Sequence, residues 1–181
     1  MNLGASALIN IVMPAQQEQA PAAAALQKVK TGKTGENTMD KAQVADLFMR
    51  GQDCSQVVLS QFADVLGISQ ENANRITACF GGGSGIGETC GAVIGALMVI
   101  GMKYGHSGPD DMEQRNILMA KRSEFIRKWN EKRGTCMCKD FLGHDITQPG
   151  EFEKVLEEGT MFSLCPELVL DAIEILQEIT E

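Results

Sequence analysis

Residues 79–102 read Cys79-Phe-Gly-Gly-Gly-Ser-Gly-Ile-Gly-Glu-Thr-Cys90-Gly-Ala-Val-Ile-Gly95-Ala-Leu-Met-Val-Ile-Gly-Met102, and their reading decides the fold. Five glycines fall within the seven positions 81–87 and lead to Cys90 at the head of an apolar run. Glycine tolerates positive φ and close backbone approach, so the stretch reads as a tight connection between two helices. From Cys90 to Met102 no residue is charged or strongly polar, which predicts a helix over 89–104 buried on all sides. Gly91 and Gly95 lie one turn apart on it, so another backbone can pack closely there. A cysteine in the first turn of such a helix meets the positive end of the helix dipole, which favours its thiolate.

Working outward, Asp53 is a good N-cap for a helix over 54–66 that opens with Cys54, turns Val58, Phe62, Val65 and Leu66 inward, and ends at Gly67. Cys165 precedes Pro166, a residue suited to the first helical position. Leu168, Val169, Ala172, Ile173, Leu176 and Ile179 then mark an amphipathic helix over 166–180. Further helices are predicted at 40–50, 70–80, 109–133 and 150–158. The 109–133 helix carries an apolar stripe of Leu118, Met119, Phe125, Ile126 and Trp129. No alternating strand pattern of useful length occurs. The expected fold is all-α, a single-domain bundle of about six or seven helices around the glycine loop and the helix that follows it. Residues 1–39, rich in Ala, Gln, Gly and Thr, read as a flexible N-terminal extension, with Met39 a candidate start; residues 40–181 form the expected domain.

The 181 residues allow one ordinary core, and 44% hydrophobic with 5% aromatic residues and ten methionines suits helices better than a β-sandwich. A net charge of −8 argues against nucleic acid as a partner. Eleven acidic residues and one Lys follow from Asp140 onward, whereas residues 110–133 hold seven basic and five acidic ones. The plain reading is a solvated acidic face against a basic helix; the sharper one is an acidic docking surface for a redox partner. No run reaches the roughly eighteen apolar residues that span a membrane. The N-terminus lacks the positive region of a signal peptide, so a cytoplasmic setting with reduced cysteines is expected, which favours metal or redox roles over structural disulfides. A homodimer remains allowed.

Gly82–Thr89 fits P-loop spacing until Glu88 replaces the lysine, where a carboxylate repels phosphate, so it is not a nucleotide site. His106 is expected to face solvent. His144, six residues after Cys138, is a weak candidate ligand or base. No nucleophile, base and orienter stand at identifiable places, and no substrate machinery is visible. The cysteines carry the signal: Cys54, Cys90 and Cys165 each sit at or beside a predicted helix start, Cys136 and Cys138 form a Cys-x-Cys pair on a turn entering a short helix, and Cys79 ends the helix that begins near Ser69.

Cys54 after Gly-x-x, the glycine loop into Cys90-Gly-Ala-x-x-Gly95, Cys138 in Cys-Lys-Asp-Phe-Leu-Gly, and Cys165 before a terminal helix resemble the redox-active C_GCAxxG_C_C family, over roughly residues 40–178. The resemblance implies that the defining cysteines are Cys54, Cys90, Cys138 and Cys165, while Cys79 and Cys136 are extra. A similar domain forms part of split-Soret cytochrome c, which carries an iron–sulfur cluster besides its haems. No Cys-x-x-Cys-His occurs here, so haem attachment is not carried over. The expectation is therefore an electron-transfer protein whose Cys54, Cys90, Cys138 and Cys165 converge on a [2Fe–2S] or [4Fe–4S] cluster. Gly83, Gly85 and Gly87 belong to a cofactor-binding loop whose N–H groups point at sulfur and raise the potential. The alternatives are a thiol–disulfide oxidoreductase using pairs among the same cysteines, or a helical module with a structural zinc site of four cysteines.

Overall fold

Asp40 opens the first helix with a capping box: its carboxylate accepts Gln43 N–H at 2.8 Å and the Gln43 side chain accepts Asp40 N–H at 2.8 Å. The structure is a computed structural model and describes residues 39–180; the expected extension over 1–39 falls, Met39 apart, outside them. Ten helices follow in order: α1 (Lys41–Met49), α2 (Cys54–Gln61), α3 (Ala63–Leu66), α4 (Gln70–Thr77), α5 (Gly91–Tyr104), α6 (Met112–Arg133), α7 (Cys138–Leu142), α8 (Glu151–Glu157), α9 (Thr160–Ser163) and α10 (Cys165–Thr180). Among the described residues there is no strand, only one antiparallel bridge between Thr89 and Met137. The all-α expectation holds.

The core forms where α5 meets α2, α6 and α10. Glycine sets the closeness of α2: a Cβ on Gly95 would stand 2.9 Å from both Ser55 O and Val58 Cβ, and one on Gly91 would stand 2.8 Å from Phe80 O and 3.2 Å from Cys54 Cβ. Both positions therefore admit the α2 backbone only without a side chain. The six apolar positions expected to face inward on α10 are all buried, as are Phe125 and Trp129 of α6. The Trp129 indole N–H donates to Thr135 O at 2.7 Å, and Phe141 meets the indole edge-on. Trp129 so anchors the segment between α6 and α7.

Several expectations need correction. The helix expected over 54–66 breaks at Phe62, whose φ of −106° and ψ of 2° turn the chain so that the ring is buried and Val65 is left exposed. Helix α5 is buried only as far as Ile100: Gly101, Met102 and Lys103 are exposed, and Ile94, Leu97 and Met98 are half-buried. Met119, expected in the α6 stripe, faces outward. Helix α6 begins at Met112 because Asp111 caps it, accepting Gln114 N–H at 3.1 Å. The short α3, α7 and α9 account for the helices beyond six or seven.

The basic α6 and the acidic α10 are paired, as the plain reading of their charges expects. Lys128 meets Glu178 at 2.7 Å, Lys132 meets Asp171 at 2.9 Å, and Arg133 binds Asp171 through Nε. No described helix is long and apolar enough to cross a membrane.

A candidate redox centre at four helix starts

The glycine loop winds the wrong way for an ordinary helix. Gly82, Gly83, Ser84 and Gly85 hold φ of 60°, 61°, 60° and 73°, a left-handed turn that costs every residue but glycine. Its two ends are tied down. At one end, Gly81 N–H donates to Asp53 Oδ2 at 3.2 Å. The other oxygen of Asp53 caps α2, accepting Ser55 N–H at 3.0 Å and Gln56 N–H at 3.1 Å. One carboxylate therefore fixes the loop and the helix start that carries Cys54. At the other end, Cys90 N–H donates to Cys136 O at 2.8 Å and Cys138 N–H donates to Glu88 O at 2.7 Å, flanking the Thr89–Met137 bridge. The bridge locks the start of α5 to the start of α7.

Cys54, Cys138 and Cys165 are each the first residue of a helix, and Cys90 is the residue immediately before α5. The sequence reading puts Cys138 on a turn entering a short helix and misses it as the helix start itself; the αL-compatible Gly143 just past Leu142 is the signal that bounds this helix. The four cysteines lie in one buried core, and Cys54 is within electrostatic reach of Cys90, Cys138 and Cys165. Cys138 in turn feels Cys90 and Cys165. They are 8, 2, 6 and 7% exposed in chain order, so the centre is closed to bulky reagents. Cys136 is half-buried beside Cys90, and Cys79 is exposed after the end of α4.

Burial dominates the electrostatics. It pushes the Cys90 thiol up to about 11, although the Ala92 and Val93 N–H groups at the start of α5 pull the other way. The expected favouring of the Cys90 thiolate is thus corrected: two N–H dipoles do not offset loss of water. Burial, then the charges of Cys90 and Cys165, push Cys138 up to about 12. Cys165 alone among the four is lowered, because Cys54 donates to it, and Cys54 is raised well above its ordinary value for the same reason. The two thiols therefore titrate as a coupled pair.

Of the loop glycines named in the sequence, Gly83 and Gly87 are buried and touch α7: a Cβ on Gly83 would lie 2.9 Å from Cys138 Cβ, and one on Gly87 would lie 3.2 Å from Lys139 Cβ. Gly85 is open, with no atom within 4 Å of such a Cβ. His106 is exposed. His144 is held by α8, with Nδ1 2.7 Å from Glu151 Oε2 and Nε2 3.0 Å from Glu158 Oε2, so both ring nitrogens are engaged by carboxylates.

A metal needs donors that close on it. Among the described residues no three His, Cys, Asp or Glu side chains are arranged to hold a single metal ion. The chemistry of the donor set nevertheless fits an iron–sulfur cluster, since four buried cysteines with one another as neighbours could supply the four thiolates such a cluster takes.

Fold and site together define a helical protein with a buried centre of four cysteines. The family model described as "Putative redox-active protein (C_GCAxxG_C_C)" matches residues 52–179, and the chain belongs to that family. The match begins after α1 and runs into the last turn of α10. No curated protein and no solved structure matches the chain.

Proposed function

We propose that Cys54, Cys90, Cys138 and Cys165 act as one redox centre whose thiolates hold an iron–sulfur cluster, and that the protein passes electrons to a partner protein. The observation that carries this reading is that four cysteines, each at or beside a helix start, are all buried in one core, with Cys54 in electrostatic reach of the other three. The cluster supplies the electron storage; the protein supplies four thiolates, a water-poor site and the N–H groups of Ala92 and Val93 at sulfur. Burial favours electron transfer over thiol exchange as the main activity. A disulfide substrate must touch the attacking sulfur, whereas an electron need not. A single zinc ion, with Zn–S bonds of about 2.3 Å, asks the sulfurs to close on one point. A cluster is a larger body, gripped from outside. This reading requires a reducing compartment such as the cytoplasm.

A second reading is thiol–disulfide exchange between Cys54 and Cys165, favoured by the opposite shifts of the two thiols, with Cys165, the lowered one, the nucleophile.

Anaerobic reconstitution with ferrous iron and sulfide, followed by metal and sulfide analysis, separates the readings. The expected product is brown, with visible absorption and comparable amounts of iron and acid-labile sulfide. Colourless protein, whether metal-free or holding zinc, would overturn the cluster.

A further inference from the structure

Cys136 lies outside the four-cysteine motif, yet the fold gives it a partner. The antiparallel bridge pairs Thr89 with Met137. In that register the residues on either side of the bridge, Cys90 and Cys136, stand directly opposite each other, and Cys90 N–H donates to Cys136 O at 2.8 Å. Opposed residues of an antiparallel pair project to the same face, and in a hydrogen-bonded pair such as this one the Cα atoms stand about 5.5 Å apart with the Cβ atoms near the wide end of about 4.5–5.5 Å. A disulfide asks for Cβ atoms about 3.5–4.5 Å apart and Cα atoms about 4.4–6.8 Å apart. Only a small closure separates the two arrangements. The thiols differ in access: Cys90 is 2% exposed, whereas Cys136 is half-buried and its Sγ donates to Asn130 Oδ1 at 3.4 Å near the surface. A reagent arriving from solvent meets Cys136 first.

We propose that Cys136 and Cys90 form a reversible disulfide when the protein without its cluster meets a low-molecular-weight disulfide. Cys136, as its thiolate, attacks one sulfur of the small disulfide; that S–S bond breaks, one small thiolate leaves, and a mixed disulfide forms. Cys90 then attacks Cys136 Sγ and expels the second small thiolate as the Cys90–Cys136 bond forms. Two protein thiols are oxidised by two electrons in total, the small disulfide is reduced to two thiols, and the two protein protons end on those thiols. The bond withdraws Cys90 from the set of four, so the oxidised chain no longer presents four thiolates. That consequence rests on the proposed function; the disulfide itself does not.

The test treats the full-length, metal-free chain with oxidised glutathione until its thiol content is steady, the exposed Cys79 being free to take up glutathione on its own, then blocks the remaining thiols by alkylation. Cleavage after Lys, Arg and Glu and then after Met isolates Cys90 on residues 89–98 and Cys136 on residues 134–137. The expected result is one disulfide-linked species joining those two peptides, with Cys90 recovered as a free thiol in the Cys136→Ser variant after the same treatment. Cys90 left alkylated in the wild type, bridged to Cys54 or Cys138 instead, or still bridged in Cys136→Ser would overturn the proposal. So would Cys136 ending solely as a mixed disulfide with glutathione. Iron loading of the reduced chain is a separate readout, so failure of the cluster reading leaves this outcome legible.

Discussion

At the residue scale burial governs Cys90 and Cys138 before any helix dipole acts. Cys90 and Cys138 are held at about 11 and about 12, against an ordinary value of 9.0. A group whose pKa is raised on folding contributes stability that is complete below its unfolded pKa and is lost as pH rises toward its folded one. The metal-free protein should therefore weaken progressively as pH climbs from about 9.0, the ordinary thiol value, toward about 11. A tenfold weakening of a thiol's acidity on folding corresponds to about 1.4 kcal/mol. The decline should be shallower in Cys90→Ser, where one of the raised thiols is removed, while Cys165, the lowered one, works in the opposite sense. Denaturant titrations across a pH series check this. A midpoint that rises above pH 9 would contradict the assignment of burial as the dominant cause.

At the scale of elements, the glycine loop separates conformational need from spatial need. Gly83 and Gly85 both hold positive φ, but their surroundings differ. A Cβ on Gly83 would lie 2.5 Å from Glu88 N and 2.9 Å from Cys138 Cβ; one on Gly85 meets nothing. Gly85→Ala should cost only the left-handed backbone, about 1–2 kcal/mol. Gly83→Ala should cost that and overpacking as well, about 2–5 kcal/mol together, and should push α7 and its Cys138 out of place. Equal losses in thermal or denaturant midpoints for the two variants would mean that the loop does not pack on α7. This distinction was not legible in the sequence, which marks both glycines alike. What was legible came from local rules: Asp53 as a cap, Gly67 as a stop, and the i, i+3, i+4 pattern of α10. The break at Phe62 was not, because the ring's burial against the rest of the core overrides a periodicity that runs smoothly to Leu66. Cys138 escaped as a helix start because α7 is five residues long, too short to show a period.

At the scale of the whole molecule, the pairing of α6 with α10 positions the site from outside. Asp171, 8% exposed, receives both Lys132 and Arg133 at the end of α6, just before the segment that carries Cys136 and Cys138. It lies on the helix that Cys165 begins. Asp171→Asn should cost about 1–3 kcal/mol, because two cations lose their shared charge in a half-dry place. Glu178→Gln, at an exposed pair, should leave the midpoint nearly unmoved. Thermal unfolding of both variants decides this, and an equal effect would show that the α6–α10 pairing is a surface matter alone. The four-cysteine set and its convergence were legible through the family resemblance, but the devices that fold the chain back, the bridge at Thr89 and Met137 and the Asp53 carboxylate on Gly81, were not, since they join segments far apart in sequence.

The central claim is that Cys54, Cys90, Cys138 and Cys165 serve as one set. Its most direct test is iron and sulfide content after anaerobic reconstitution of four variants, each carrying one of these cysteines as serine, beside Cys79→Ser as a folded control. The account predicts a similar, severe loss of iron in all four and near wild-type loading in the control, because each variant removes one ligand of the same centre. Full loading in any one of the four, or a large loss confined to Cys54→Ser and Cys165→Ser, would contradict it.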